Sequence, residues 1–149
     1  MLLKTRLHEH LFQLLEIRIS TLTAQRTQMS HDSSASGKGS AGDKHEVGIA
    51  MAQLEIEKID QQISLSQQQL SALKRIDPEQ IHQRVQIGSL FQANGQVFYC
   101  SVPLGQIQFE GTNIFCLSSE APIFQAIKGK SIGETLPFNS KIWTIEKLT

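Results

Sequence analysis

His31-Asp32-Ser33-Ser34-Ala35-Ser36-Gly37-Lys38-Gly39-Ser40-Ala41-Gly42-Asp43-Lys44-His45-Glu46 separates two long stretches of helical period. Taken alone, the Ser and Gly content of His31 to Gly42 reads as a flexible linker. Its neighbours change that reading. An apolar-periodic run extends from about Leu2 to Met29 upstream, and a second runs from Val47 to Ile76 downstream. Two arms of similar length around a Gly/Ser segment predict an antiparallel helical hairpin. With a rise of about 1.5 Å per residue, roughly 30 residues per arm give a hairpin of about 45 Å. Asp43 and Glu46 fall at its far end, and both carboxylates share one side if the second helix begins there.

The second arm carries the cleaner pattern. Ile49, Ala52, Ile56, Ile59, Ile63, Ser66, Leu70 and Leu73 follow alternating steps of three and four. Such spacing keeps one stripe in register along a helix and predicts a coiled-coil seam. Gln61, Gln62, Gln67, Gln68 and Gln69 are then expected on the solvated side. Lys74 and Arg75 suit a helix C-terminus, where the dipole favours cations. Asp77-Pro78 ends the arm, because the residue before proline is pushed out of the α region. In the first arm Leu3, Leu7, Leu14, Ile17, Thr21 and Ala24 are expected to form the seam, with Leu11 and Leu22 widening it. His10 falls in the same series and is read as a seam-edge residue rather than a ligand.

Beyond Pro78 the period becomes two. Val85 to Phe91 reads as a strand, and Asn94-Gly95 predicts a tight hairpin turn, since both central residues of a type I′ turn need positive φ. Gln96 to Val102 answers as its partner. Further strands are expected at Ile107–Phe109, Ile114–Leu117, Thr135–Phe138 and Lys141–Leu148, with a short helix at Pro122–Ile127 opened by a proline at a permitted position. The expected fold class is α+β. It comprises an antiparallel coiled-coil hairpin over residues 1–77 and a small antiparallel β domain with one short helix over 78–149.

Charge excludes one class of function. The 149 residues carry 14 basic and 14 acidic side chains. A free-standing nucleic-acid binder usually shows a basic stripe, so contact with nucleic acid is expected only through a partner complex. Cys100 and Cys116 sit in strand-like runs without metal-ligand spacing and read as small apolar residues in a reducing compartment. No stretch approaches the ~18 apolar residues of a membrane span, and no signal-peptide core develops. A cytoplasmic protein with no membrane partner is the expectation.

Two segments resemble the Gre-type (GreA/GreB family) transcript-cleavage factors of bacterial RNA polymerase. Gly42-Asp43-Lys44-His45-Glu46 is similar to that family's Gly-Asp-x-x-Glu tip. Pro122-Ile123-Phe124-Gln125-Ala126-Ile127-Lys128-Gly129-Lys130, with Ile132-Gly133-Glu134, is similar to its Ser-Pro-Leu-x-x-Ala-Leu-x-Gly-Lys-x-x-Gly-Asp run, with Ala121 in place of the Ser and Glu134 in place of the Asp. Order, spacing and two-domain layout agree over nearly the whole chain.

The resemblance implies an FKBP-like second domain docking on RNA polymerase, and a hairpin threaded through the secondary channel toward the active centre. It implies no active site in the chain itself. The polymerase hydrolyses backtracked RNA, and Asp43 and Glu46 position its Mg²⁺ and a water. Two-metal hydrolysis needs both ions held and a water activated, and Mg²⁺ takes oxygen ligands. Asp43 is assigned as the direct ligand and Glu46 as the water-orienting carboxylate, or the reverse. Glu120, Ala121 and Pro122 are the implied polymerase-docking edge. Arg18, Arg26, Lys38 and His45 are candidate RNA contacts, and the factor is expected to act as a monomer.

Other readings stand beside this one. Asp43 at an N-cap with Glu46 three residues on would form a capping box, and capping would also fix the carboxylates in place. A regulator could occupy the same channel without promoting cleavage. A prolyl isomerase would need an aromatic-lined pocket, whereas Phe98, Tyr99, Phe109, Phe115, Phe124, Phe138 and Trp143 mostly hold strand-core parity. A plain coiled-coil adaptor would make the acidic tip incidental.

Overall fold

A computed structural model describes residues 2–36 and 43–149. The elements run α1 (Leu2–Ser36), α2 (Asp43–Lys74), β1 (Leu90–Ala93), β2 (Gln96–Cys100), β3 (Gly105–Phe109), β4 (Thr112–Leu117), α3 (Pro122–Ile127), β5 (Thr135–Phe138) and β6 (Lys141–Leu148). The class is α+β. The chain divides into two compact units, Phe12–Leu70 and a second that joins Met1–Leu11 to Ser71–Thr149. The outermost turns of the arms expected within 1–77 therefore fold with the sheet.

In the helical unit, α2 holds the predicted register. Ile49, Ala52, Ile56 and Ile63 are half-buried, while Ile59 and Ser66 are buried. Gln69 departs from the reading. It is 8% exposed, and its Oε1 has no hydrogen-bond partner among the described residues. On α1 the seam differs from expectation. Leu15 is fully buried and Ile19, Leu22 and Met29 are half-buried, whereas Ile17 is 63% exposed and Leu14, Thr21 and Ala24 are also on the surface. The first arm carries two overlapping apolar stripes, and the one through Leu11, Leu15 and Leu22 faces inward, with Leu11 and Leu15 buried and Leu22 half-buried. Arg26 Nε donates to Asp60 Oδ1 at 2.5 Å and ties the two helices.

The sheet unit begins where α2 ends. Arg75 and Ile76 donate to the carbonyls of Ala72 and Leu73, tightening the last turn. Asp77 Oδ1 then accepts from the Glu79 N–H at 2.9 Å, bracketing Pro78. Val85 to Ser89 is not a strand. Val85 exchanges bonds only with Lys130 and Gly129, and Gly88 turns the chain at φ +96°.

The six strands lie in the order β3-β4-β2-β1-β6-β5. Four pairings are antiparallel, but β2 and β4 run parallel, with Tyr99 opposite Cys116. The expected all-antiparallel sheet is therefore mixed. Parallel neighbours need a crossover, and β3 supplies it, since the chain leaves β2, reaches the sheet edge and returns as β4. Asn94-Gly95, Glu110-Gly111 and Asn139-Ser140 all have positive φ at both residues, the signature of the tight turns that match strand twist.

Alternation along β2 assigns its side chains to two faces. Phe98 and Cys100 join Phe91, Phe124, Ile127, Leu136, Trp143 and Ile145 in one core, on which α3 is anchored. Tyr99 points to the other face, where the first turns of α1 pack and His8 bonds to it. Fully burying one large apolar side chain stabilises by about 1.5–3 kcal/mol. With Phe98, Tyr99 and Cys100 all buried, β2 is the strand both faces depend on.

Candidate functional site

The acidic pair lies at the start of α2. Asp43 and Glu46 both lie in the first described turn of α2, three residues apart, and Glu46 is exposed. Gly42 and Lys38 lie outside the described residues, as do the side chains of Asp43 and His45. Val47 and Met51 follow at 56% and 63% exposure, so the surface after the tip is apolar. Among the described residues, no group of three or more His, Cys, Asp or Glu could enclose a metal ion. By residue type alone, Asp43 and Glu46 suit Mg²⁺, which is commonly held by one or two carboxylates and keeps several other oxygens.

The cationic candidates are not equivalent. Arg18 is exposed. Arg26 is engaged by Asp60, so its charge is partly committed within the hairpin.

The proposed docking edge is built by α3. Ala121 precedes the helix with extended backbone and no side-chain cap, and Pro122 opens it. Proline suits this position because a first-turn N–H has no intrahelical acceptor to lose. Phe124 and Ile127 are buried and hold the helix on the sheet core. Ala121 packs half-buried against that core, while Glu120 and Pro122 are exposed. The approach to the helix is stiffened by the Glu120 N–H on Ser118 Oγ at 3.2 Å and by Gln125 Nε2 on the Ser119 carbonyl. The structure thus makes surface of Glu120 and Pro122, and gives Ala121 a packing role.

Sequence reasoning missed a polar cluster inside the sheet unit. Lys4 is fully buried, and its Nζ donates to the Gln80 carbonyl at 2.6 Å. His8 Nδ1 lies 2.7 Å from the Tyr99 hydroxyl. His82 is 5% exposed, and neither ring nitrogen has a hydrogen-bond partner among the described residues. Burial lowers the pKa of Lys4, opposed by nearby Asp77. Burial likewise lowers His8, opposed by a backbone hydrogen bond to Leu73. Tyr99 is pushed up by burial, so its hydroxyl stays protonated and can donate. At the surface of the same unit, Arg6 grips Glu110 with two bonds of 2.8 and 3.0 Å, and His10 lies against Phe109 with ring centroids 4.9 Å apart. His10 is thus an aromatic neighbour of β3 in the sheet unit rather than a residue at the edge of the helical seam.

No family model, curated protein or solved structure matches the chain.

Proposed function

We propose that this chain is a monomeric cytoplasmic elongation factor that binds bacterial RNA polymerase and promotes cleavage of backtracked RNA by the polymerase itself. The observation that carries the reading is exposed Glu46 in the first described turn of α2, three residues after Asp43 in the same helix. Supporting it is the likeness of Gly42 to Glu46, and of Pro122 to Glu134, to the Gre-type motifs. In this reading the helical pair is a coiled coil that enters the secondary channel, and the sheet unit is an FKBP-like domain that docks through Glu120, Ala121 and Pro122. Asp43 and Glu46 orient a water and present oxygens to the polymerase's Mg²⁺. The ion supplies Lewis-acid activation of the attacking water and stabilises the leaving oxygen.

A second reading has one observation in its favour. Arg26 spends its charge on Asp60, which leaves fewer cations along the hairpin to hold RNA. A regulator that occupies the channel without stimulating cleavage fits that economy of charge.

Two measurements separate these readings from an adaptor or an isomerase. Polymerase captured from a lysate by the tagged full chain is expected under both channel readings. RNA cleavage on a stalled elongation complex, with and without the chain, then distinguishes the factor from the occupant.

A further inference from the structure

We propose that His82 acts as a proton-sensitive latch on the docked base of α1, holding the first turns of that helix in the sheet unit while its ring is neutral and releasing them when it takes up a proton.

His82 lines a recess of the sheet unit that the Arg84 guanidinium, Ser131, Ile132 and Leu148 also border. His82 is 5% exposed, and both ring nitrogens lack partners among the described residues. A Cβ built on Gly88 would stand 3.1 Å from His82 Nε2 and 3.3 Å from Ile76 Cγ2, so the ring is pressed against the backbone on that side. A neutral imidazole in this place leaves one donor and one acceptor unmet. An imidazolium would leave two donors and a full charge unmet, and buried charge without a partner is the costlier state by far.

The charged and titratable neighbours make this asymmetry sharper. From α1, the Lys4 ammonium bears electrostatically on His82, and it is itself fully buried on the Gln80 carbonyl. His8, also from α1, is neutral beside the Tyr99 hydroxyl of β2. Asp77, from the segment after α2, bears electrostatically on Lys4 and His8 but is exposed. From the loop before β1, the ring meets the backbone of Gly88. A proton on His82 therefore places a second cation near Lys4 inside the unit, and no carboxylate bonds to the ring among the described residues. Burial first, and Lys4 second, hold the His82 pKa below its ordinary value.

Relief comes by separating the two cations and wetting the ring. Lys4 is on α1 and His82 on the segment it is bonded to, so withdrawing the α1 base does both. The sign follows from linkage. Both His8 and His82 have pKa values depressed in the folded unit. Their contribution is complete above the unfolded value of about 6.5 and is lost as pH falls from there through the folded values.

Protection factors of the Leu7 to Leu11 amides in the full chain between pH 7.5 and 5.5, each exchange rate divided by the intrinsic rate at that pH, read the opening equilibrium. Each histidine that gains a proton on opening raises that equilibrium by up to about tenfold per pH unit, so His8 and His82 together give up to about a hundredfold. His82→Met keeps the volume and cannot take a proton, and the slope is expected to fall by about tenfold per pH unit. An unchanged slope in that variant overturns the proposal. Should the variant not fold, the ring resonances of the wild-type histidines decide. His82 is expected to titrate below the ordinary histidine value of about 6.5, together with loss of Leu7–Leu11 protection. Titration near about 6.5 with protection intact contradicts it.

Discussion

His8 Nδ1 and the Tyr99 hydroxyl meet at 2.7 Å across 91 residues of chain, and both side chains are buried. This bond fastens the first turns of α1 to the strand that both faces of the sheet depend on. Tyr99→Phe leaves His8 Nδ1 buried without its donor. The expected cost is about 1–3 kcal/mol in chemical denaturation, the penalty for one unsatisfied buried polar group. Adding His8→Phe should recover part of the loss, and the double-mutant cycle measures the coupling. Strict additivity would show that the two groups do not depend on each other.

The register of the helical unit gives a paired test. Ile59 is 8% exposed and Ile17 is 63% exposed. Ile59→Ala should cost about 2–5 kcal/mol through lost burial and the cavity left behind. Ile17→Ala should stay within about 0.5 kcal/mol, as surface changes do. Thermal melts followed by circular dichroism compare the two directly. Similar losses at both positions would return Ile17 to the seam.

What the sequence could and could not disclose follows from how local each signal is. Ile49 to Leu73 was legible because one stripe of large residues stands against glutamines. The first arm was ambiguous because Leu11, Leu14, Leu15 and Ile17 satisfy two stripes, and only contact with the rest of the fold selects between them. Asn94-Gly95 announced its turn through local backbone need. The parallel pairing of Val97 through Cys100 with Ile114 through Leu117 left no periodic mark, since strand partners are chosen by the whole sheet. Val85 alternated like a strand residue, but Gly88 at φ +96° ends pairing before it can begin. Lys4, His8 and His82 were invisible as a cluster because buried polar residues carry no period. For Asp43 and Glu46 the three-residue spacing was readable, while the role of the carboxylates rests on resemblance and experiment.

The cysteines offer a test of the sheet core. Both are free and buried. Burial pushes Cys116 up to about 12 and Cys100 up as well. The thiolate is the reactive form, and a rise of this size leaves roughly a thousandfold less thiolate at pH 8 than an ordinary cysteine has. A thiol-reactive chromophore should therefore label the folded chain very slowly and the denatured chain at once. Rapid labelling of the native protein would mean that the core opens frequently.

Docking on polymerase is tested at α3. Pro122 is exposed at the first position of that helix, while Phe124 and Ile127 hold it in place. Pro122→Asp should leave circular dichroism unchanged and weaken polymerase binding by about 2–5 kcal/mol, the cost of an uncompensated charge in a buried contact. Unaltered affinity moves the docking surface off this edge.

The most direct test of the account is RNA cleavage by a stalled elongation complex supplied with Asp43→Asn. The amide keeps the shape and caps a helix about as well as aspartate does, but it lacks the charge that holds a hard cation. The account predicts that stimulated cleavage is lost, that polymerase binding is kept, and that the variant competes with the wild type. Glu46→Gln, if it acts only by orienting water, should be milder, at about 10–100-fold. Full cleavage with Asp43→Asn would contradict delivery of a metal ligand by the tip, and loss of binding in its place would make Asp43 a structural residue.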